Sequence, residues 1–208
     1  MLTIHTLAVG EIQANCHLVA DAQGQTLVID PGAEPDAILA LVARQRLTVA
    51  AYLLTHGHLD HVSGLADLHR HQPAPIGLAA ADARWAFSAA NRMLPFYKPV
   101  RPEGDLLDVG GMETWTAGGP ACRILHTPGH TPGCVCYWFE AEGLLFTGDT
   151  LFAGSVGRTD LPGGNELQLT ASLRRLAELP PATRVYPGHG DPTTIARERE
   201  SNPFLQGL

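Results

Sequence analysis

Long apolar runs are missing from this 208-residue sequence. None approaches the ~18 residues that a membrane-spanning helix requires, so no membrane partner is expected. The N-terminal stretch "MLTIHTLAVGEIQ" has neither a basic leader region nor a long apolar core, which argues against a signal peptide. Positive charge is short as well, with 14 Lys and Arg against 21 Asp and Glu, a net charge of −7. That balance argues against nucleic acid or an acidic membrane surface as a partner. Cysteine is sparse, and Cys16, Cys122, Cys134 and Cys136 all fall in strand-like segments. On an extended strand Cys134 and Cys136 would have Cα atoms ~6.8 Å apart, the upper edge of disulfide reach. Reduced core thiols in a cytoplasmic protein are the expectation.

No low-complexity linker divides the chain. With 45% hydrophobic and 17% charged residues, the composition is that of an ordinary globular protein. One domain over residues 1–208 is expected, long enough to bury a sizeable core without staples. Short β-like runs open it: "LTIHTLAV", "NCHLVA" and "TLVID". Pro35 suits the first turn of a helix, and Ile38, Leu39, Leu41 and Val42 follow at helical spacing. "VAAYLLT" reads as a strand, Val62 to His71 as a helix, and the Ala-rich "AADARWAFSAANRM" as another. Arg92 to Gly104, with three prolines, reads as a loop. A strand-rich half follows in "METWTA", "CRILHT", "CVCYWFE" and "LLFTGD". Asn165 with Gln168 resembles a capping box ahead of a helix carrying Leu169, Leu173 and Leu176. "TRVYPGHG" reads as a last strand, followed by a charged helix from Ile195 to Glu200. Two echoes, "LVIDPG" with "LLFTGD" and "LLTHGH" with "VYPGHG", hint at two similar halves.

What is abundant is histidine, ten in all, and it is unevenly placed. "YLLTHGHLDHVSG" crowds His56, His58, Asp60 and His61 directly behind a buried strand. Extended backbone puts His56, His58 and Asp60 on one side, and a turn into a helix brings His61 round from another. One short segment could thus supply two neighbouring metal ions. The remaining ligands stand at strand ends beside glycine: His130 in "HTPGHTPG", Asp149 in "LLFTGD" and His189 in "VYPGHG". The two oxygens of Asp149 could bridge both ions. His5, His17, His69, His71 and His126 have no such setting and are expected on the surface or satisfied in the core.

"THGHLDH", "PGHTPG", "TGDT" and "PGHG", in this order and across essentially the whole chain, resemble the motifs of the metallo-β-lactamase superfamily. The resemblance implies an α/β fold, an αββα sandwich of two mixed β-sheets flanked by helices, with the metals at one edge. It implies two divalent metal ions, zinc first, with iron or manganese as alternatives. His56, His58 and His130 would hold one ion, Asp60, His61 and His189 the other, and Asp149 both. Asp30, in "VIDPG", matches an acidic residue that supports the site from behind.

"FAGSVGRTDLPGGN" and "NPFLQ" resemble the single-domain, glyoxalase-II-like hydrolases more specifically. Lactamases of the superfamily generally lack the aspartate of "TGDT". Only about 19 residues follow His189, too few for a glutathione-gripping helical domain, since small domains need roughly 40. The expected activity is hydrolysis of small acyl thioesters such as S-lactoylglutathione, by a hydroxide shared between the ions and oriented by Asp60. A leaving thiol of pKa roughly 8.5 departs without a strong acid. Arg158, Lys98 and Tyr97 are candidate substrate contacts, with an Arg158–Asp160 ion pair the competing reading for Arg158. The alternative activity is a persulfide dioxygenase using one iron on His56, His130 and Asp149.

Overall fold

Alternation of side chains decides the layering. The computed structural model describes residues 1–207. Strands β1 (Thr3–Val9), β2 (Ala14–Ala20), β3 (Gln25–Ile29), β4 (Thr48–Leu53), β5 (Ile76–Gly77) and β6 (Leu106–Leu107) form one six-stranded sheet in that order. The second sheet comprises β7 (Thr114–Trp115), β8 (Cys122–His126), β9 (Val135–Phe139), β10 (Leu144–Gly148), β13 (Arg184–Pro187) and β14 (Thr193–Thr194). Its spatial order is β14-β13-β10-β9-β8-β7. A small hairpin, β11 (Leu151–Phe152) with β12 (Ser155–Val156), stands apart.

Along β3, Leu27 and Ile29 point towards the second sheet and Val28 away from it. Along β9, Val135, Tyr137 and Phe139 meet them, while Cys136 and Trp138 face outward. Helices α1 (Pro35–Arg44) and α3 (Leu65–His71) cover the outer face of the first sheet with Ile38, Leu41, Leu65 and Leu68. Helices α5 (Glu166–Ala177) and α6 (Ile195–Ser201) cover the second with Leu169, Leu173, Leu176 and Ile195. Strands buried on both faces read as continuous apolar runs, as "LVID" and "LLFTG" do. The expected αββα sandwich of two mixed sheets is what forms.

The two halves repeat one plan. β1, β2 and β3 are antiparallel, and α1 then leads to β4, parallel to β3. β8, β9 and β10 are antiparallel, and α5 leads to β13, parallel to β10. Asp30 and Asp149 therefore follow equivalent strands, as do His56 and His189. The carboxyl ends of parallel strands are where α/β folds gather ligands.

Two helices depart from expectation. Val62–His71 is not one helix: α2 (Leu59–Val62) stops, and α3 begins after Gly64. The Gly64 N–H leaves the helical ladder to donate to the Pro31 carbonyl, 3.0 Å away. The Ala-rich segment forms only α4 (Ala80–Ala83) and then turns. Asp82 and Asn91 are drawn into buried hydrogen bonds with distant loops, and those bonds outweigh alanine's helix propensity. All four cysteines are buried and unpaired. Among the described residues no helix is long and apolar enough to cross a membrane.

Candidate metal centre

β4 ends at Leu53, the backbone bends at Thr55, and extended His58 stands at the N-terminal cap position of α2. The helix then turns Asp60 and His61 back towards the strand ends. Asp30 anchors this arrangement from a left-handed backbone conformation, φ 52°, which aspartate tolerates better than most residues. Its carboxylate accepts from the Thr55 N–H at 2.7 Å and from the Thr55 hydroxyl at 2.6 Å. It also lies 3.1 Å from His61 Nδ1, an imidazole–carboxylate pair that leaves His61 Nε2 for the cluster. His130 is fixed likewise, its Nδ1 donating to the Arg158 carbonyl at 2.8 Å.

Two triads result. His56, His58 and His130 have ligand-type atoms within 4.8 Å of one another, as do Asp60, His61 and His189. His130 Nε2 is 2.8 Å from His58 Nδ1. His189 Nε2 is 3.3 Å from both His61 Nε2 and Asp60 Oδ2. Asp149 lies between the triads. Its Oδ1 is 3.4 Å from His61 Nε2, and its Oδ2 is 3.5 Å from His130 Nε2 and 3.6 Å from His189 Nε2.

The charges call for a cation. His56 Nε2 and Asp149 Oδ1 are buried without a hydrogen-bond partner, an arrangement that native proteins otherwise avoid. Burial, then His61, His58 and His130, drives His56 well below the ordinary histidine value. Burial, then His130 and His61, pushes His58 down to about 3. These imidazoles are thus neutral lone-pair donors. Around His61, burial favours the neutral form, but Asp60, Asp149 and Asp30 outweigh it and hold the pKa up at about 10. Nitrogen and carboxylate donors in this mixture suit zinc, iron or manganese.

All seven ligand-type residues singled out in the sequence, and Asp30 behind them, are therefore brought together. The substrate candidates are not. Tyr97 is a correction: it is fully buried, and its hydroxyl accepts from the Ile12 N–H at 2.9 Å, so the phenol braces the β1–β2 loop. The Arg158 guanidinium is exposed in a two-point pair with Asp160, both contacts 2.6 Å, and only its backbone carbonyl meets the cluster. Lys98 is exposed. The cavity of about 440 Å³ beside Ala66, Arg70 and Arg101 contains none of the seven residues.

Sequence reasoning missed the supports. Thr55 links Asp30 to His56, its hydroxyl 3.0 Å from His56 Nδ1. Asn15 donates to the Pro187 and Gly190 carbonyls on either side of His189. Buried His17 lies 3.1 Å from the Pro187 carbonyl through Nε2. Only Thr55, adjacent to the motif, carried a usable signal. The others are remote in sequence.

The profile of the metallo-beta-lactamase superfamily matches residues 9–189. The chain belongs to that superfamily. Among solved structures, the metallo-β-lactamase superfamily fold recurs in the B3 metallo-beta-lactamase BLEG-1, with TM-score 0.90 and 34% identity, covering 99% of this chain and 100% of that one. TTHA1623, solved in a di-iron-bound form, has TM-score 0.81 and 41% identity, with 97% and 100% covered. ETHE1 from Myxococcus xanthus has TM-score 0.78 and 33% identity, with 99% and 85% covered. The hydroxyacylglutathione hydrolase GloC of Haemophilus influenzae is 35% identical over 98% of both chains. Membership of this metallohydrolase superfamily makes the His/Asp clusters a divalent-metal site and points to an enzyme of the hydrolase class.

Proposed function

We propose that this chain hydrolyses small acyl thioesters, S-lactoylglutathione among them, in the cytoplasm at a centre of two divalent metal ions, zinc, iron or manganese. The observation that carries the reading is the placement of Asp149 within 3.4–3.6 Å of imidazoles from both triads. His56, His58 and His130 would hold the first ion, Asp60, His61 and His189 the second, and Asp149 both. When bound, such a pair acidifies a water and polarises a carbonyl.

The protein groups supply the rest. Asp60 is 8% exposed. Burial opposes its charge, but His61 and His189 hold its carboxyl below the usual range. It stays an acceptor that orients the attacking water. Trp85 stands 5.4 Å from His58 and Phe152 6.1 Å from His189, ring to ring, as apolar flanks. Tyr97, its hydroxyl turned to Ile12, offers no acid for a poor leaving group, and a thiol of pKa roughly 8.5 needs none. Similarity to GloC supports the substrate class. Arg158 and Lys98, both exposed, would touch the thiol portion weakly, so Arg158→Ala and Lys98→Ala should act mainly on KM.

Similarity to the B3 metallo-beta-lactamase BLEG-1 sets one rival activity, β-lactam hydrolysis, and the motif resemblance to persulfide dioxygenases sets another, persulfide oxidation on one iron held by His56, His130 and Asp149. A single metal-loaded preparation offered S-lactoylglutathione, a cephalosporin and glutathione persulfide separates them. Thiol release from the thioester, with Asp60→Asn lowering kcat more than it changes KM, is expected. Oxygen uptake with persulfide, or cephalosporin turnover, with thioesters untouched, would overturn the assignment.

A further inference from the structure

The glycine between His56 and His58 is held at both its backbone N–H and its carbonyl by side chains from one distant segment. The Gly57 N–H donates to Asp82 Oδ2 at 2.9 Å. The Gly57 carbonyl accepts from Asn91 Nδ2 at 2.8 Å. Asp82 continues to the other ligand loop, accepting from the Thr131 hydroxyl at 2.6 Å and the Gly133 N–H at 2.8 Å. Asp82 is wholly buried and Asn91 nearly so. Asn91 Nδ2 also donates to the Ala86 carbonyl at 2.6 Å, closing the turn that carries both residues. Both loops approach Asp82 closely at a glycine, Gly133 too closely for any side chain. A Cβ on Gly57 would stand 3.0 Å from Asp82 Cβ, and one on Gly133 would stand 2.6 Å from Asp82 Cγ.

We infer that Asp82 and Asn91 form a clamp that positions His56, His58 and His130 as one unit, setting the geometry of the first metal site and leaving the second largely alone. This rests on the two-ion reading above. The selectivity follows from where the supports lie. Asp82 touches the backbone at Gly57 and the loop at Thr131 and Gly133, flanking His56, His58 and His130. The second triad is held from elsewhere, His61 by Asp30 and the His189 turn by Asn15. Asp30 serves both triads, through Thr55 and through His61, whereas Asp82 contacts only the first. A buried carboxylate accepting three donors is rigid because each unmade bond would leave a buried polar group unsatisfied. Asp82 and Asn91 are thus positioning residues, acting through the loops.

The test is zinc titration of the chelator-stripped full chain by calorimetry, in two backgrounds. His189→Ala keeps the first triad and His58→Ala keeps the second. In Asp82→Asn, an amide NH2 necessarily faces one of the three donors. It should weaken zinc binding about tenfold or more in the His189→Ala background, the scale of outer support losses in metal sites. In the His58→Ala background the change should stay within about threefold. Thr131→Val, which removes one donor and keeps the volume, should show the same bias to a smaller degree, and decides the matter if Asp82→Asn does not fold. Equal losses in both backgrounds, tracking the thermal midpoint, would mean a general structural role and overturn the clamp. Failure of the two-ion reading looks different: the parent chain would bind only one zinc, whatever Asp82 does.

Discussion

Asp149 has one oxygen towards His61 and the other towards His130 and His189, so its loss should be felt by both triads. His61 contributes its Nε2 to only one of them, beside Asp60 and His189. Asp149→Ala is expected to reduce bound metal towards zero per chain. His61→Ala should leave the first ion largely in place. Elemental analysis after dialysis against trace-metal-free buffer reads both. Equal metal content in the two variants would sink the shared-carboxylate assignment. The same scale shows why Arg158 was a weak candidate. Its exposed guanidinium is paired with Asp160 two residues away rather than turned to the cluster, and so weakly held a pair leaves only a slight contact with the thiol portion.

At the scale of elements, the cluster depends on strands from different sheets meeting at their ends, and His17 is one of the ties. It sits on β2, accepts from the Thr6 hydroxyl on β1 through Nδ1 at 2.9 Å, and donates from Nε2 to Pro187 at the end of β13. Burial pushes its pKa down to about 4, against the partial opposition of the Pro187 carbonyl. The folded chain therefore requires it neutral, while the unfolded chain takes up the proton near pH 6.5. Its contribution to stability is full above about pH 6.5 and is lost as pH falls from there to about 4. At about 1.4 kcal/mol per unit, the difference amounts to about 3 kcal/mol. Urea unfolding at pH 7, 5.5 and 4.5 should show a shallower acid loss for His17→Gln than for the parent chain. Parallel slopes would show that His17 is not the titrating tie.

For the whole molecule, four ligand-type residues come from the end of β4 and the start of α2, and three from the second sheet's loops and strand ends. Metal bound between the sheets should therefore stabilise the entire sandwich. Free zinc at about 100 times its Kd adds about 2.7 kcal/mol per ion to a native state that alone binds it. For a chain of this size that is a rise of about 5–10 °C in the thermal midpoint. Differential scanning calorimetry with zinc and with excess chelator checks it, and an unchanged midpoint would contradict an inter-sheet metal centre.

The sequence by itself marked the seven ligand-type residues that cluster, and the layer plan. His56, His58, Asp60 and His61 are neighbours along the chain, and each remaining ligand type is marked by an apolar run ending beside glycine. Those are local signals, as are the alternating strands and the Asn165 cap, whose side chain accepts from the Gln168 N–H as expected. The echo of "LVIDPG" in "LLFTGD" likewise became a repeated β-α-β plan. Tertiary structure alone decided the supports. Asp82 and Asn91 reach Gly57 across 25 and 34 residues, and Asn15 reaches Gly190 across 175. No periodicity or spacing encodes such pairs. The same long-range bonds explain why "AADARWAFSAANRM" is a short helix and turns rather than a long helix, and Tyr97's bond to Ile12 explains why it is buried. Propensity acts residue by residue, at tenths of a kcal/mol to about one. A buried donor or acceptor left unpaired costs about 1–3 kcal/mol, so where the two conflict the distant hydrogen bond wins.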